Sequence, residues 1–312
     1  MTTAQRVLLI GGSGFIGSSV AARLSTAGMD ITIPTRRLSR AMHLALLPTV
    51  HIVEADISQA GTLERLATGM DAVIYLPGVL NGNFELVHVT LPERAACAAV
   101  AARVSRFVLM SALGASMTAP SKYLQTKERG EAAVLRVCEP FKAMQVSILQ
   151  PSVVFGEGDK FLNTFARLAA LAPFIPLGST SALFQPVWVE DVARAVERCL
   201  TDPAASGRTW PLVGPRIYTL RELVEIAMRL AGHQRFIVPL GKGLAALQAL
   251  VFEHLPGSLI TRDNVASMQV PNTSDTPYPF GQAAELETIA AGYLTRARHV
   301  DDYCRKRETA GR

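Results

Sequence analysis

Two patterns in this 312-residue chain have the residue types and spacing to do chemistry. The first is Tyr123 with Lys127, a Y-x-x-x-K pair on a stretch that predicts a helix, where a spacing of four puts both side chains on one face. Read as chemistry, the pair offers a phenol for proton transfer beside a fixed cation. Read plainly, it is an exposed helix with an incidental Tyr and Lys. The second pattern is "GGSGFIG", residues 11–17, directly after the apolar run "VLLI". Gly12, Gly14 and Gly17 give G-x-G-x-x-G, whereas Gly11, Gly14 and Gly17 give G-x-x-G-x-x-G, and spacing alone does not choose. Strand, glycines, then helix is the context of a dinucleotide site: glycine permits a tight turn and a close pyrophosphate, and the helix start offers free N–H groups and a positive dipole end. An ordinary glycine turn is the alternative, and the whole alternating pattern argues against it.

The end of the second strand selects the nucleotide. An acid there would bond the ribose 2′-hydroxyl of NAD, and an Arg would accommodate the 2′-phosphate of NADP. The stretch reads "PTRRLSR", with no acid and with Arg36 and Arg37 in place, so NADP(H) is expected ahead of NAD(H).

The elements that must position these residues follow from periodicity. Apolar, β-branched runs predict strands at 6–11, 30–35, 50–56, 71–77, 106–111 and 145–151. Helical stretches alternate with them near 15–27, 38–47, 60–68, 85–103 and 122–138. This alternation predicts an α/β fold of the Rossmann type, a doubly wound parallel sheet with helices on both faces. After Pro151 the sequence becomes rich in Pro and Gly, with helices near 161–171, 190–201, 219–231, 241–252 and 283–306. The expected division is a nucleotide-binding domain over 1–155, to which 186–202 returns, and a smaller C-terminal lobe over 156–312 for substrate or interaction.

Composition narrows the classes. Nearly half the residues are apolar, and the net charge of +5 suits anionic partners such as nucleotides or acidic lipid but not nucleic acid. Cys97, Cys138, Cys199 and Cys304 are far apart and form no C-x-x-C; His51, His233 and His254 have no ligand-like spacing, so no metal is expected. Glu157 and Asp159 in "GEGDKF" read as a cation site or, more simply, as a solvated turn, and Glu190 and Asp191 as the acidic first turn of a helix. No secretory signal and no long uncharged span is apparent, so a cytoplasmic protein is expected. The stretch 236–260 carries few charges and reads as core or as a face lying on a membrane or partner.

On these residues the chain resembles the short-chain dehydrogenase/reductase superfamily in its extended or atypical branch, the NAD-dependent epimerase/dehydratase type. Four stretches, "SALGASMTAPSKYLQTKERGEAAV", "QPSVVFGEGDKFLNTFARLA", "FQPVWVEDVARAV" and "VGPRIYTLRELVE", are similar to bacterial relatives of the nucleotide-binding accessory subunit of respiratory complex I. The resemblance implies the G-x-x-G-x-x-G register. It implies cofactor contacts from Gly11, Gly14, Phe15, Ile16 and Gly17, from Arg36 and Arg37, and from Asp56 and Ile57 after the third strand. Further contacts are implied from Leu76, Pro77 and Gly78 after the fourth, from Ser111, and from Tyr123, Lys127 and Pro151. It further implies that Lys127 holds the nicotinamide ribose and lowers the pKa of Tyr123, the catalytic proton donor. Three positions depart from the family pattern. Ala112 stands where its catalytic Ser or Thr falls, with Ser111 out of register and Ser116 and Ser121 as substitutes the sequence does not place. His88 stands where many relatives carry Asn, able to bond backbone, relay a proton or simply pack a helix. Gln150 stands where Arg is usual. The expected function is an NADP(H)-binding protein, either a reductase or dehydratase acting on a small carbonyl or quinone-like substrate, or a non-turnover subunit holding NADPH in a membrane-associated respiratory complex. Both readings allow a peripheral place at the inner face of the membrane.

Overall fold

The computed structural model describes residues 5–241 and 261–295. The chain opens with strand β1 (Arg6–Ile10), helix α1 (Phe15–Thr26), β2 (Asp30–Thr35) and β3 (Val50–Glu54). It continues through α2 (Thr62–Ala67), β4 (Ala72–Tyr75), α3 (Leu91–Ala101), β5 (Arg106–Met110), α4 (Lys122–Cys138) and β6 (Gln145–Pro151). Then come β7 (Val154–Phe155), α5 (Phe161–Leu171), β8 (Phe174–Leu177), β9 (Leu183–Phe184) and β10 (Val187–Trp188). After α6 (Val189–Thr201) and β11 (Thr209–Leu212) the chain forms β12 (Tyr218–Thr219), α7 (Leu220–Leu230), β13 (Phe236–Pro239) and α8 (Arg262–Ser267). A last helix covers 286–295.

Seven strands form one parallel sheet in the order β11-β6-β5-β4-β1-β2-β3. The order reverses between β1 and β4, and the carboxyl ends of strands at such a switch point are where open α/β sheets take their ligands. Val7 to Ile10 and Ala72 to Tyr75 are buried on both faces, as central parallel strands require. One face packs Leu8, Ile10, Val73, Tyr75, Phe107 and Leu109 against the alanines of α3 and against Val134 and Cys138 of α4.

The chain divides into two compact units. Unit one comprises residues 1–151, 189–212 and 278–281, and contains the whole seven-stranded sheet. Unit two comprises 152–188, 213–277 and 282–312. It is built from two-stranded pairings and a core around Phe155, Phe165, Leu223 and Val224.

Three features differ from the sequence expectation. The stretch 38–47 is not an α-helix but two 3₁₀ turns, Leu38–Arg40 and Met42–Leu46, closed by three-residue bonds such as Leu44 N–H to Ala41 O (2.8 Å). Pro48 directly follows Leu47, which is extended, as a residue before proline prefers. The helix expected over 85–103 begins as a five-residue π turn, Leu86–Thr90, before α3. Pro92 is the cause: it has no N–H for the carbonyl of His88 four residues back, and its ring pushes that carbonyl away. Strand β11 is unforeseen because Pro211 argues against a central strand, and β11 is indeed an edge strand. All but the first residue of the stretch 241–252, where a helix is expected, and most of the apolar segment 236–260 lie outside the described residues. Among the described residues no helix is long and apolar enough to cross a membrane.

Candidate cofactor and active site

Two clusters form along the carboxyl edge of the sheet in unit one. The glycine loop lies at the end of β1. Gly11 has φ +85°, a conformation open to glycine, and accepts the N–H of Gly14 (3.1 Å). A Cβ on Gly17 would fall 2.2 Å from the Gly11 oxygen and 2.6 Å from Gly12 Cα, so α1 sits on the turn only because residue 17 has no side chain. Gly11 also abuts Pro77, whose Cδ would lie 3.1 Å from its Cβ, and Leu76 N–H donates to Ile10 O (3.1 Å). Gly14 caps α1 with no side-chain bond, and a Cβ there would meet nothing closer than 3.4 Å. Gly11, Gly14 and Gly17 thus act as one turn. Gly12 packs instead under Ile33, 2.9 Å from where its Cβ would be. Phe15 and Ile16 form the half-buried first turn of α1.

Beyond β2, Arg36 and Arg37 are exposed. Asp56 accepts the backbone N–H (2.9 Å) and hydroxyl (2.7 Å) of Ser58, bonds that hold its carboxyl below the usual range, helped by the Arg36 guanidinium. Ile57 beside it is half-buried.

The second cluster joins β4, β5 and α4. Lys127 is buried, 6% exposed, and its ammonium donates to Met110 O (3.0 Å) at the end of β5. Burial pushes its pKa down to about 8, with the Glu131 carboxylate pulling the other way. A Cβ on Gly78 would lie 3.3 Å from Lys127 Nζ, so the loop after β4 runs directly beside the cation. Tyr123 is half-buried and meets the His88 ring edge-on at 5.4 Å. Its phenol is pushed up to about 12 by burial. Burial is the cause of that rise, and the Lys127 ammonium is turned toward Met110 O.

The three departures can now be placed. Ala112 is buried and brings no hydroxyl. Ser121 caps α4 by accepting Leu124 N–H (3.3 Å), and Ser116 bonds Thr118 within an exposed turn, so each has other work. The Ser111 hydroxyl is enclosed and has no hydrogen-bond partner among the described residues, and its backbone N–H donates to Leu149 O (2.7 Å). It lies near enough to Glu131 to lower that carboxyl without reaching bonding geometry. Gln150 donates to both oxygens of buried Glu131 (2.9 and 3.1 Å), a neutral partner for a carboxylate whose pKa burial raises. Pro151 is buried and accepts Leu113 N–H (2.9 Å).

Sequence reasoning missed Thr126, Gly130 and Glu131, which support the pair from within α4. A glycine inside a helical pattern is the one signal that could have flagged them. In unit two, Asp159 accepts from Gly156 N–H, Leu162 N–H and the Tyr293 hydroxyl (2.8 Å), so it is a loop staple rather than a cation ligand. Among the described residues no cluster of His, Cys, Asp and Glu is fit to hold a metal.

From Met110 to Thr35 the carboxyl edge spans three strand spacings, roughly 14 Å, with the lysine corner at one end, the arginines at the other and the glycine turn between.

Comparison with known proteins bears on this edge. The family model described as "NAD dependent epimerase/dehydratase family" matches residues 7–212. The mitochondrial NADH dehydrogenase (ubiquinone) 1 alpha subcomplex subunit 9 of Mus musculus is 34% identical over 239 residues, 73% of this chain and 62% of that protein. The chain thus spans less than two thirds of that relative's length. A ceramide reductase of Caulobacter vibrioides is 30% identical over 217 residues, 65% of this chain and 67% of that protein. Among solved structures, an epimerase of Methanothermobacter thermautotrophicus superposes with a TM-score of 0.74 at 18% identity, over 98% of this chain and 95% of that one, which is a likeness of fold.

Proposed function

The chain belongs to the NAD dependent epimerase/dehydratase family, and from that premise we propose that it is an NADP(H)-binding protein with a weakened catalytic centre. The observation that carries the reading is the buried Lys127 ammonium, held on Met110 O beside Gly78 at the end of the edge where a nicotinamide ribose would arrive. The residues fit such a group. Gly14 leaves the mouth of α1 clear for a pyrophosphate, and the N–H groups there suit an anion. Arg36 and Arg37 suit a 2′-phosphate, and Asp56 with Ile57 the adenine side. When bound, the cofactor would supply or accept a hydride. The protein's part would be to anchor the ribose through Lys127 and to move a proton at the Tyr123 hydroxyl.

That second task is poorly supported. A phenol near 12 is a reluctant base and a weak acid at neutral pH, and Ala112 offers no second hydrogen bond to a substrate oxygen. General acid–base help is typically worth about 10²–10⁴-fold in rate, so its loss leaves binding without fast turnover. This favours a subunit that holds NADPH within a respiratory complex. The mouse relative, named as a mitochondrial NADH dehydrogenase subunit, supports that reading, as do the exposed Leu171, Phe174 and Phe236 of unit two, which offer an apolar face to a complex or membrane surface. The second reading is a reductase of a carbonyl or quinone-like substrate, favoured by the retained Tyr123 and by the relative named ceramide reductase.

The test is NADPH oxidation against a panel of carbonyls and quinones, in parallel with NADPH titration. Firm binding with negligible oxidation is expected. Rapid oxidation that Tyr123→Phe abolishes, with NADPH affinity unchanged, would establish the reductase instead.

A further inference from the structure

His88 is placed by two unusual features that converge on it. It lies in the π turn ahead of Pro92, and its carbonyl is approached by α4 at Gly130, where a Cβ would fall 1.9 Å from the oxygen. The second hydrogen of that glycine points at this oxygen instead, a weak C–H···O contact. The close approach brings the His88 ring, 3% exposed, between the loop after β4 and helix α4.

The ring's hydrogen bonds fix its tautomer. Val79 N–H lies 3.0 Å from Nε2 and can only donate, so Nε2 carries the lone pair. The proton is then on Nδ1, which donates to Thr126 Oγ1 (3.0 Å). That hydroxyl in turn donates a hydrogen bond to the carbonyl of Lys122 (2.8 Å) or Tyr123 (3.0 Å). A one-way chain thus runs from the backbone beside Gly78 to the backbone of the Tyr123 turn. Phe84 stacks on one side of the ring at 5.5 Å, and Tyr123 meets it edge-on. Gly78 is where the two anchors meet: its Cβ would lie 3.3 Å from Lys127 Nζ and 3.9 Å from His88 Nε2. Burial, then the Lys127 charge, push the imidazole down to about 3, so the chain keeps its direction at working pH.

We propose that His88 is a positioning residue for the nicotinamide end of the cofactor, the neutral tie that sets the gap between the Gly78 loop and the Lys127 ammonium. The proposal rests on the reading that Lys127 anchors the ribose. A merely structural histidine would hold the fold and treat every nucleotide alike, whereas a positioning one acts only on ligands that reach the lysine.

The experiment measures the affinities of NADPH and of adenosine 2′,5′-bisphosphate, which lacks the nicotinamide half, in wild type, His88→Leu and His88→Gln, alongside melting temperatures. Glutamine keeps an acceptor at the reach of Nε2, so it can still take the Val79 N–H. Leucine should weaken NADPH about tenfold, the effect of one lost bond at roughly 1.4 kcal/mol, and leave the bisphosphate unchanged. Glutamine should restore most of the difference. Equal weakening of both ligands, or of neither, would overturn the proposal. So would a leucine loss that glutamine does not relieve. If wild type binds the bisphosphate but gains nothing from the nicotinamide half, the ribose reading fails, and His88's role with it. If it binds neither ligand, NADP(H) binding itself is wrong.

Discussion

Two glycines in unit one do the same mechanical work in very different surroundings. Gly17 lets α1 rest on the oxygen of Gly11, and Gly130 lets α4 rest on the oxygen of His88. Each removes a Cβ that would stand within about 2 Å of a backbone oxygen; Gly17 shapes the middle of the candidate cofactor edge and Gly130 its lysine end. The first contact is local: turn and helix are six residues apart, and the spacing announces itself. The second joins residues forty-two positions apart, 130 less 88, and depends on a π turn and a proline as well. Positions equally intolerant of substitution are therefore not equally visible. A helix can meet a turn through its own sequence, whereas helix against helix requires the fold to be complete.

The sharpest way to break this comparison is to add the missing methyl group at each glycine. Gly17→Ala and Gly130→Ala should each destabilise by at least about 3 kcal/mol, because the obstructing atom is backbone and cannot rotate away. Thermal and denaturant unfolding check this. A mild effect at Gly130 beside a severe one at Gly17 would mean that the contact between the π turn and α4 is more forgiving than its geometry.

Lys127 gives the next largest effect and tests the buried corner alone. Lys127→Met should weaken NADPH by about 1.5–3 kcal/mol, as loss of a hydrogen bond to a charged group does, and isothermal titration measures it. It should also remove a pH dependence. The folded pKa near 8 lies below the unfolded value near 10.5, so between those pH values the unfolded chain holds more protons, and stability rises with pH. Below about pH 8 both states keep the proton, and this contribution is flat. The stability of cofactor-free wild type minus Lys127→Met should therefore climb from pH 8 to 10.5, by at most ~1.4 kcal/mol per pH unit. Taking the difference removes the opposing contributions of cysteines and tyrosines, which burial raises in both proteins. A flat difference would mean that the ammonium is better solvated than its burial implies.

At the opposite end, Arg36→Ala should have the smallest effect. Arg36 is exposed and already sits near the Asp56 carboxylate. NADPH should weaken by about 1.5 kcal/mol and NADH hardly at all. Equal affinity of wild type for the two nucleotides would remove the 2′-phosphate from the argument.

The sequence by itself determined the doubly wound sheet, the positions of its first six strands along the chain and the place of the glycine turn. Apolar alternation and glycine spacing are local signals, and the chemistry of a strand–turn–helix lies within a dozen residues. It also identified Tyr123 and Lys127 as neighbours, since four residues on a helix are one turn. It did not reveal the seventh strand, because Pro211 is tolerable only at an edge, and being an edge is a property of the assembled sheet. Nor did it reveal that the 38–47 crossover forms tight turns, that Ser111 is enclosed, or that Gln150 partners Glu131. Only the tertiary structure decided the surroundings of the Tyr123–Lys127 pair. Whether a lysine lowers a neighbouring tyrosine depends on where each head group points and how much water remains; here burial raises the phenol and lowers the ammonium, which is turned toward Met110 O. The same holds for His88, which the sequence leaves open between packing, bonding and proton relay. Its tautomer and partners come from Val79 and Thr126, one nine residues away and the other thirty-eight, which meet only when the sheet edge and α4 close on the ring.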